Sequence, residues 1–178
     1  MEGAWRGRRP TRRPLALLLL AAFLVRLPLI PLLGHGDDLY LIKGWALVID
    51  HYGLDDVFAL AKVDYIGYAY VLWLIDRIHG LFPLPLDSNS PLFHFLVKLP
   101  GPLADLGVTA VLYWLVRRLL TERPDLLARS LAGGLQRLPL LGSARLSLPE
   151  KGAIAAAALY AFNPAVIYDS AYWGQIDS

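Results

Sequence analysis

Two short polar clusters, far apart in the chain, contain the residues best suited to chemistry. The first is the acidic turn Gly36-Asp37-Asp38, preceded by His35, and the second is the tail Trp173-Gly174-Gln175-Ile176-Asp177-Ser178. One carboxylate of the first cluster could act as a general base, while its neighbour caps the next helix or binds a cation. For Asp38, capping and catalysis are equally good interpretations, and both stay open at this point.

The composition is typical of a membrane protein. Hydrophobic residues make up 56% and charged residues 18% of the 178 residues, which is too apolar for an ordinary soluble domain of this length. The basic residues lie beside apolar runs, as topology signals do, and form no pattern that indicates nucleic-acid binding. The absence of cysteine excludes a disulfide framework, thiol catalysis and thiolate-ligated zinc.

Three apolar segments are predicted to cross a bilayer, whose core needs about 20 apolar residues. They are residues 14–34, 99–116 and 151–168. A cleaved signal peptide is the alternative for the first segment. The length of its apolar run, Arg26 inside it, and the lack of a small-residue cleavage site before Asp37 favour a retained helix.

The arginines predict the orientation of these crossings. Five arginines lie within the leader of residues 1–13, and Arg117 and Arg118 follow the second segment. The positive-inside rule therefore predicts a cytoplasmic amino terminus in the cell membrane, an external loop over residues 35–98, and a cytoplasmic loop over residues 117–150. Both polar clusters are then expected outside the same membrane.

The external loop has two stretches with helical apolar spacing. Residues 38–52 and 66–82 combine apolar and aromatic positions with charges, as helices that lie in the membrane interface do. The stretch of residues 53–56 between them is rich in turn-forming residues. The predicted fold is an all-α membrane protein with three transmembrane helices and two juxtamembrane helices in the first external loop. Asn163-Pro164 is expected to bend or divide the third crossing.

The order of the motifs adds a resemblance that spacing alone does not provide. The motifs are Gly36-Asp37-Asp38, Asp64-Tyr65, Lys98-Leu99-Pro100, Ala104-Asp105-Leu106, Asn163-Pro164 and the tail from Trp173 to Ser178. In this order they resemble the amino-terminal part of the GT-C superfamily of integral membrane glycosyltransferases. The similarity is greatest to bacterial relatives of the mannosyl- and glucosyltransferases that use polyprenyl- or dolichyl-phosphate sugars.

The resemblance implies roles for several residues. It implies a catalytic aspartate at the start of the first external loop, where Asp37 matches best and Asp38 is second. It also implies that Gln175 and Asp177 face the sugar or the acceptor. Many relatives have two prolines after the acidic-aromatic pair, and this chain keeps only Asp64 and Tyr65 of that motif.

Physical reasoning adds three candidates, Lys98, Trp173 and Asp105, each with an alternative interpretation. A departing phosphate needs a cation, and Lys98 lies at the predicted outer end of the second crossing. A lysine there also fits the interpretation of a side chain that reaches lipid headgroups. Trp173 is a candidate for stacking on a sugar ring, although interfacial tryptophans are common. Asp105 is interpreted either as a functional residue or as a hydrogen-bonded aspartate between helices, too far from Lys98 to pair with it.

The expected function is transfer of a sugar from a polyprenyl-phosphate-linked donor to an acceptor at the external face of the membrane. No metal ligands are assigned, no cofactor is certain, and a divalent cation stays open. Because the chain stops soon after the third crossing, it is expected to be an amino-terminal fragment that is inactive alone. The alternative is a non-enzymatic polytopic protein, such as part of a transporter or an assembly subunit.

Overall fold

The structure, a computed structural model, describes residues 13–60, 63, 65–82, 90–123 and 146–174. All regular secondary structure in these ranges is helical. The elements are α1 (Arg13–Arg26), α2 (Gly36–Tyr52), α3 (Leu54–Leu60), α4 (Ile66–His79), α5 (Pro91–Lys98), α6 (Pro100–Glu122), α7 (Leu148–Ala161), α8 (Pro164–Ile167) and a final π-helical turn, π1 (Tyr168–Trp173).

Local sequence explains where several helices begin and end. Proline occupies the first turn of α5, α6, α7 and α8, where its missing N–H costs no helical hydrogen bond. Helix α2 ends at Gly53, whose φ of 95° is a conformation that glycine adopts readily. Asn163 caps the start of α8, because its Oδ1 accepts a hydrogen bond of 2.9 Å from the N–H of Ala165.

One continuous helical stretch, Pro91–Glu122, is long and apolar enough to cross a membrane. It joins α5 to α6 and spans 32 residues. Helices α1 and α7 have 14 residues each, a length of about 21 Å at ~1.5 Å per residue. The described helices therefore confirm an all-helical protein with one candidate crossing, and they do not confirm three.

Helices α1, α6 and α7 form a bundle. Leu15 and Leu18 of α1 pack with Tyr113 of α6 and Ala153 of α7, whereas Arg26 at the other end of α1 contacts Asp105. Helix α6 therefore runs antiparallel to α1 and α7. Small residues lie inside, and large apolar side chains face outward on all three helices, including Leu17, Leu20, Val111, Leu115 and Leu159. Close packing through small residues with an apolar exterior is typical of helices surrounded by lipid.

The segment between α1 and α6 has its own apolar core. Helices α2, α3, α4 and α5 bury one cluster that includes Leu39, Trp45, Leu72 and Phe93. The Tyr68 hydroxyl donates a hydrogen bond of 2.9 Å to the Val97 carbonyl, which ties α4 to α5. This helical layer holds the start of α2 near the end of the bundle where Arg26 and Asp105 meet.

Several boundaries differ from those expected. The two helices predicted at 38–52 and 66–82 are present as α2 and α4, but the predicted turn at 53–56 is mostly helical because α3 begins at Leu54. Helix α6 continues through Arg117 and Arg118 to Glu122. The predicted break at Asn163-Pro164 is confirmed. Residues 1–12 of the leader and 124–145 of the predicted cytoplasmic loop lie outside the described residues.

Candidate functional site

The first polar cluster meets Trp173, the first residue of the second cluster, in the folded chain. The indole N–H of Trp173 donates a hydrogen bond of 2.6 Å to Asp38 Oδ2. The His35 Nδ1 lies 3.4 Å from the same carboxylate oxygen. The His35 ring stacks on the Trp173 ring, with 4.8 Å between the ring centres and 23° between the planes. Asp38 is thus oriented by two side chains from opposite ends of the chain.

The backbone joins the same two segments. The N–H of His35 donates to the carbonyl oxygen of Trp173 at 3.4 Å. The start of α2 and the end of π1 are therefore tied by both main-chain and side-chain contacts. Because π1 follows the break at Asn163-Pro164, this break sets the direction in which Trp173 approaches α2.

Asp37 lies in a different environment from its neighbour. Its side chain is exposed and forms no hydrogen bond or ion pair with any described residue. The residue at the N-cap of α2 is His35, and no side chain caps this helix, so neither aspartate has the capping role. Both carboxylates still lie in the first turn, where the helix dipole favours negative charge.

Lys98 is buried where α5 joins α6, with only 2% of its surface exposed. Its ammonium donates hydrogen bonds of 2.6 Å to the carbonyl oxygens of Leu32 and Tyr172. It also lies 5.8 Å from the centre of the Tyr172 ring. Two of its three N–H groups therefore hold the end of the first apolar segment against π1.

Glycines allow this close approach. Gly34 and Gly174 have φ angles of 63° and 80°, a conformation that other residues adopt only with strain. A Cβ atom at Gly34 would collide with the Tyr172 carbonyl and the Lys98 ammonium, and one at Gly174 would lie 2.9 Å from Lys98 Cγ. Both glycines are required for the backbone to pack around Lys98.

A buried ion pair lies directly beneath this layer. Arg26, which has no exposed surface, approaches Asp105 Oδ2 at 3.3 Å with Nε and 3.2 Å with Nη2. Arg26 Nη1 also donates to the carbonyl oxygen of Ala161 at 2.8 Å. Asp105 further accepts hydrogen bonds from the hydroxyls of Ser170, at 2.6 Å, and Tyr160, at 3.2 Å. The Asp105 carboxylate thus joins α1, α6, α7 and π1.

The described residues line two open clefts, one along α2 and one that includes Trp173. The first, about 560 Å³, runs along α2 and is lined by Leu33, Gly36, Leu39, Tyr40, Lys43, Gly44 and Leu47. The second, about 500 Å³, is lined by Asp105, Tyr160, Ala165, Val166, Tyr168, Asp169 and Trp173. The first has apolar walls and a lysine, whereas the second combines aromatic rings with carboxylates. Aromatic faces and carboxylates together suit a polyhydroxylated ring.

No protein-family model matches the chain, and comparison with curated proteins and with solved structures finds no similar protein. The resemblance to the GT-C glycosyltransferases therefore depends on the sequence motifs alone.

The folded chain brings together only some of the predicted site residues. Asp38 and Trp173 are in contact, Asp37 lies beside them, and Lys98 lies behind them through Tyr172. Tyr65 instead lies next to Trp45, with 6.4 Å between ring centres, at the start of α4. The predicted residues Asp64, Gln175 and Asp177 lie outside the described residues, and their roles stay predictions.

The sequence analysis did not identify three residues of this region, and it gave a fourth, Arg26, no role in the site. Tyr160, Ser170 and Asp169 were assigned no role, although the first two bond Asp105 and the third lines the second cleft. Arg26 served only as an argument against a signal peptide. A charged residue inside an apolar segment needs a buried partner, and this signal pointed to Asp105. Among the described residues, no group of three His, Asp or Glu side chains is arranged to hold a metal ion.

Proposed function

We propose that this protein is a multi-pass membrane glycosyltransferase that moves a sugar from a polyprenyl phosphate to an acceptor at the external face of the membrane. The observation that supports this proposal most is the contact of 2.6 Å between Trp173 and Asp38. It joins the two segments that the motif order assigns to one active site, and Trp173 also lines the cleft that contains the carboxylates of Asp105 and Asp169.

The proposed topology has three crossings, formed by residues 14–34, by α6, and by residues 151–168. The antiparallel course of α6 relative to α1 and α7 supports this topology, because successive crossings must alternate in direction. The outward-facing leucines of the bundle and its internal ion pair also support it, since charged groups in a bilayer face the protein interior. A cytoplasmic amino terminus then places α2 and π1 outside.

The proposed reaction is a direct displacement at the anomeric carbon. An acceptor hydroxyl oxygen forms the new bond to this carbon as the bond from the carbon to the phosphate oxygen breaks. The polyprenyl phosphate leaves with the electron pair of that bond, and the hydroxyl proton goes to a carboxylate. Asp37 is the proposed base because it is exposed and unbonded, whereas Asp38 is held by Trp173 and positions the start of α2.

The alternative, a transporter or assembly subunit, gives Lys98 and Asp105 different roles. In a transporter these residues would line a path through the bilayer. Both are buried, and both are bonded to groups of the protein itself. This arrangement favours a static, structural role for the two residues over a path for a transported molecule.

The catalytic proposal is tested by substituting the two aspartates. Membranes that contain the intact protein are supplied with polyprenyl phosphate carrying a radiolabelled hexose, and transfer to acceptor is measured. Asp37→Asn is expected to slow transfer by about 10²-fold or more, the usual contribution of a general base. Exposed Asp55→Asn, in the first turn of α3, is the control and is expected to leave transfer unchanged. Normal transfer by Asp37→Asn removes the base assignment.

The topology is tested by labelling single cysteines, which is straightforward because the chain has none of its own. Tyr40→Cys, three residues from Asp37, and Tyr168→Cys, beside Trp173, place one exposed thiol near each segment of the proposed site. Both are expected to react with a membrane-impermeant maleimide added outside intact cells. Labelling of the two positions from opposite sides would contradict a shared external site.

A further inference from the structure

Positive charge collects at the end of the bundle where α1 begins, α6 ends and α7 begins. Leu15 of α1, Tyr113 of α6 and Ala153 of α7 pack in one cluster, so the residues that precede Leu15 and Ala153 and those that follow Tyr113 share this end. It lies opposite the end where Arg26 meets Asp105. The charged residues described there are the carboxylates of Glu122 and Glu150 and the cations of Arg13, Arg117, Arg118, Arg123 and Lys151.

The two carboxylates are already bonded, whereas most of the cations are not. Glu122 Oε1 accepts a hydrogen bond of 2.8 Å from Arg118 Nε. Glu150 Oε2 accepts hydrogen bonds from the backbone N–H and the hydroxyl of Ser147, at 2.9 and 2.8 Å. No ion pair with a described carboxylate is formed by Arg13, Arg117, Arg123 or Lys151. The charge of these four cations is therefore not neutralised by any described side chain.

Two of these cations project from neighbouring helices at similar heights. Arg117 follows Tyr113 by one turn of α6, about 6 Å, and Lys151 precedes Ala153 by two residues of α7, about 3 Å. Because Tyr113 packs with Ala153 and the two helices are antiparallel, both cations lie beyond this contact on the same side of it. An anion at this end of the bundle is within reach of both flexible side chains.

An apolar surface begins directly beside this charge. The guanidinium carbon of Arg117 lies 5.8 Å from the centre of the Trp114 ring. Trp114, Leu115 and Leu119 are all exposed on the outward side of α6. The side-chain N–H groups of Arg117 donate to no described acceptor, and a guanidinium beside a ring can still direct these groups towards the oxygens of a phosphate. Cations and apolar side chains thus adjoin on one surface.

We infer that this end of the bundle binds the headgroup of an anionic phospholipid, with Arg117 and Lys151 contacting the phosphate and the acyl chains lying on the outward side of α6. Charge complementarity determines this occupant, because an anionic amphiphile neutralises the cations while its chains cover the adjacent leucines. A soluble anion would leave the leucines uncovered. The inference uses the bundle of the proposed topology and no part of the sugar transfer, since Asp38 and Trp173 lie at the opposite end.

The experiment compares two photolabelling lipids that differ only in the headgroup. Intact protein in phosphatidylcholine nanodiscs receives a trace of phosphatidylglycerol or of phosphatidylcholine, each with a diazirine near the carboxyl end of one acyl chain. The labelled peptides are mapped by mass spectrometry. Phosphatidylglycerol is expected to label α6 between Trp114 and Glu122 about tenfold more strongly than phosphatidylcholine does, because two cations attract its headgroup. Equal labelling by the two probes, or a phosphatidylglycerol label concentrated away from α6 and α7, overturns the inference.

Removal of the two cations is expected to abolish this preference. Arg117→Gln combined with Lys151→Gln should bring the labelling ratio of the two probes to about one. Arg77→Gln is the matched control, because the Arg77 guanidinium also lies beside an indole ring, 5.6 Å from the centre of Trp73, but on α4. This control should leave the ratio unchanged. A folded double variant that keeps the full preference contradicts the assignment of these two cations.

Thermal melting establishes that each variant is folded. Lys151→Gln alone is expected to lower the ratio about threefold, so it keeps the test decisive if the double variant is unstable. An unchanged ratio in folded Lys151→Gln removes this lysine from the site and overturns the inference as stated.

Competition separates a lipid from a soluble anion. Unlabelled phosphatidylglycerol is expected to displace the probe, while glycerol phosphate in equal excess is not. Displacement by glycerol phosphate would show that the acyl chains contribute nothing, and would overturn the assignment of a lipid. Stronger displacement by polyprenyl phosphate than by phosphatidylglycerol would show that a prenyl lipid is the preferred occupant, and would overturn the assignment of a phospholipid.

Discussion

Trp173 donates its indole N–H to Asp38 across a distance of 2.6 Å, although 135 positions separate the two residues in the chain. This bond fixes one of two adjacent carboxylates and leaves the other, Asp37, exposed. Adjacent residues on a helix point about 100° apart, so Asp38 faces Trp173 while the side chain of Asp37 is exposed. The two aspartates therefore lie in different environments although they are neighbours in the chain.

Loss of this hydrogen bond is expected to reduce sugar transfer. Trp173→Phe keeps an aromatic ring for stacking on His35 but removes the donor to Asp38. A hydrogen bond to a charged group contributes about 1.5–3 kcal/mol, so transfer should fall by about 10- to 100-fold. Transfer is measured with the radiolabelled donor in membranes. Trp114→Phe, on the exposed side of α6, is the control. Equal rates for the two variants would show that the bond is not needed.

The buried pair of Arg26 and Asp105 is expected to govern stability. Arg26→Met leaves the Asp105 carboxylate without its cation and should cost about 3–5 kcal/mol. The double variant Arg26→Met with Asp105→Asn should be more stable than Arg26→Met alone, because no uncompensated charge remains. Thermal unfolding in detergent measures both. Arg118→Met breaks the exposed pair with Glu122 and should change little. A double variant no better than the single one would contradict this account.

The backbone around Lys98 is expected to tolerate no side chain at Gly174. Gly174→Ala forces a Cβ atom to within 2.9 Å of Lys98 Cγ and strains a residue whose φ is 80°. The strain alone should cost about 1–3 kcal/mol. Gly107→Ala, within α6, should instead stabilise the protein by about 0.5–1 kcal/mol. Melting temperatures that move in the same direction for both would refute the packing around Lys98.

Asp76 is expected to make stability depend on pH. Burial, and secondly the nearby Asp50 carboxylate, raise the pKa of Asp76 on α4. Because the pKa of Asp76 is raised in the folded state, the folded protein binds this proton more tightly than the unfolded chain does. The free energy of unfolding is therefore higher at low pH and falls as the pH rises through the folded-state pKa of Asp76. Asp76→Asn should therefore raise the melting temperature at neutral pH, with a smaller effect in acid. Exposed Asp55→Asn serves as the comparison, and a pH-independent effect of Asp76→Asn would remove the explanation.

Sequence patterns alone predicted much of the local structure. Helices α2 and α4 follow from apolar spacing, and the break after α7 follows from a proline that lacks an N–H. These features depend on interactions between residues close in the chain. The short helix α3 was missed because Asp55 and Asp56 are common in turns as well as in the first turn of a helix.

For the candidate site residues, too, the sequence predicted local features but not the contacts between distant residues. The sequence by itself determined that acidic residues begin α2 and that Trp173 belongs to a dense polar tail. Only the tertiary structure decided which groups these side chains meet. Lys98 bonds backbone carbonyls, Arg26 neutralises Asp105, and Lys43 lines the first cleft. Contacts of this kind join residues far apart in the chain, and buried polar groups must find partners that only the packing of helices brings within reach.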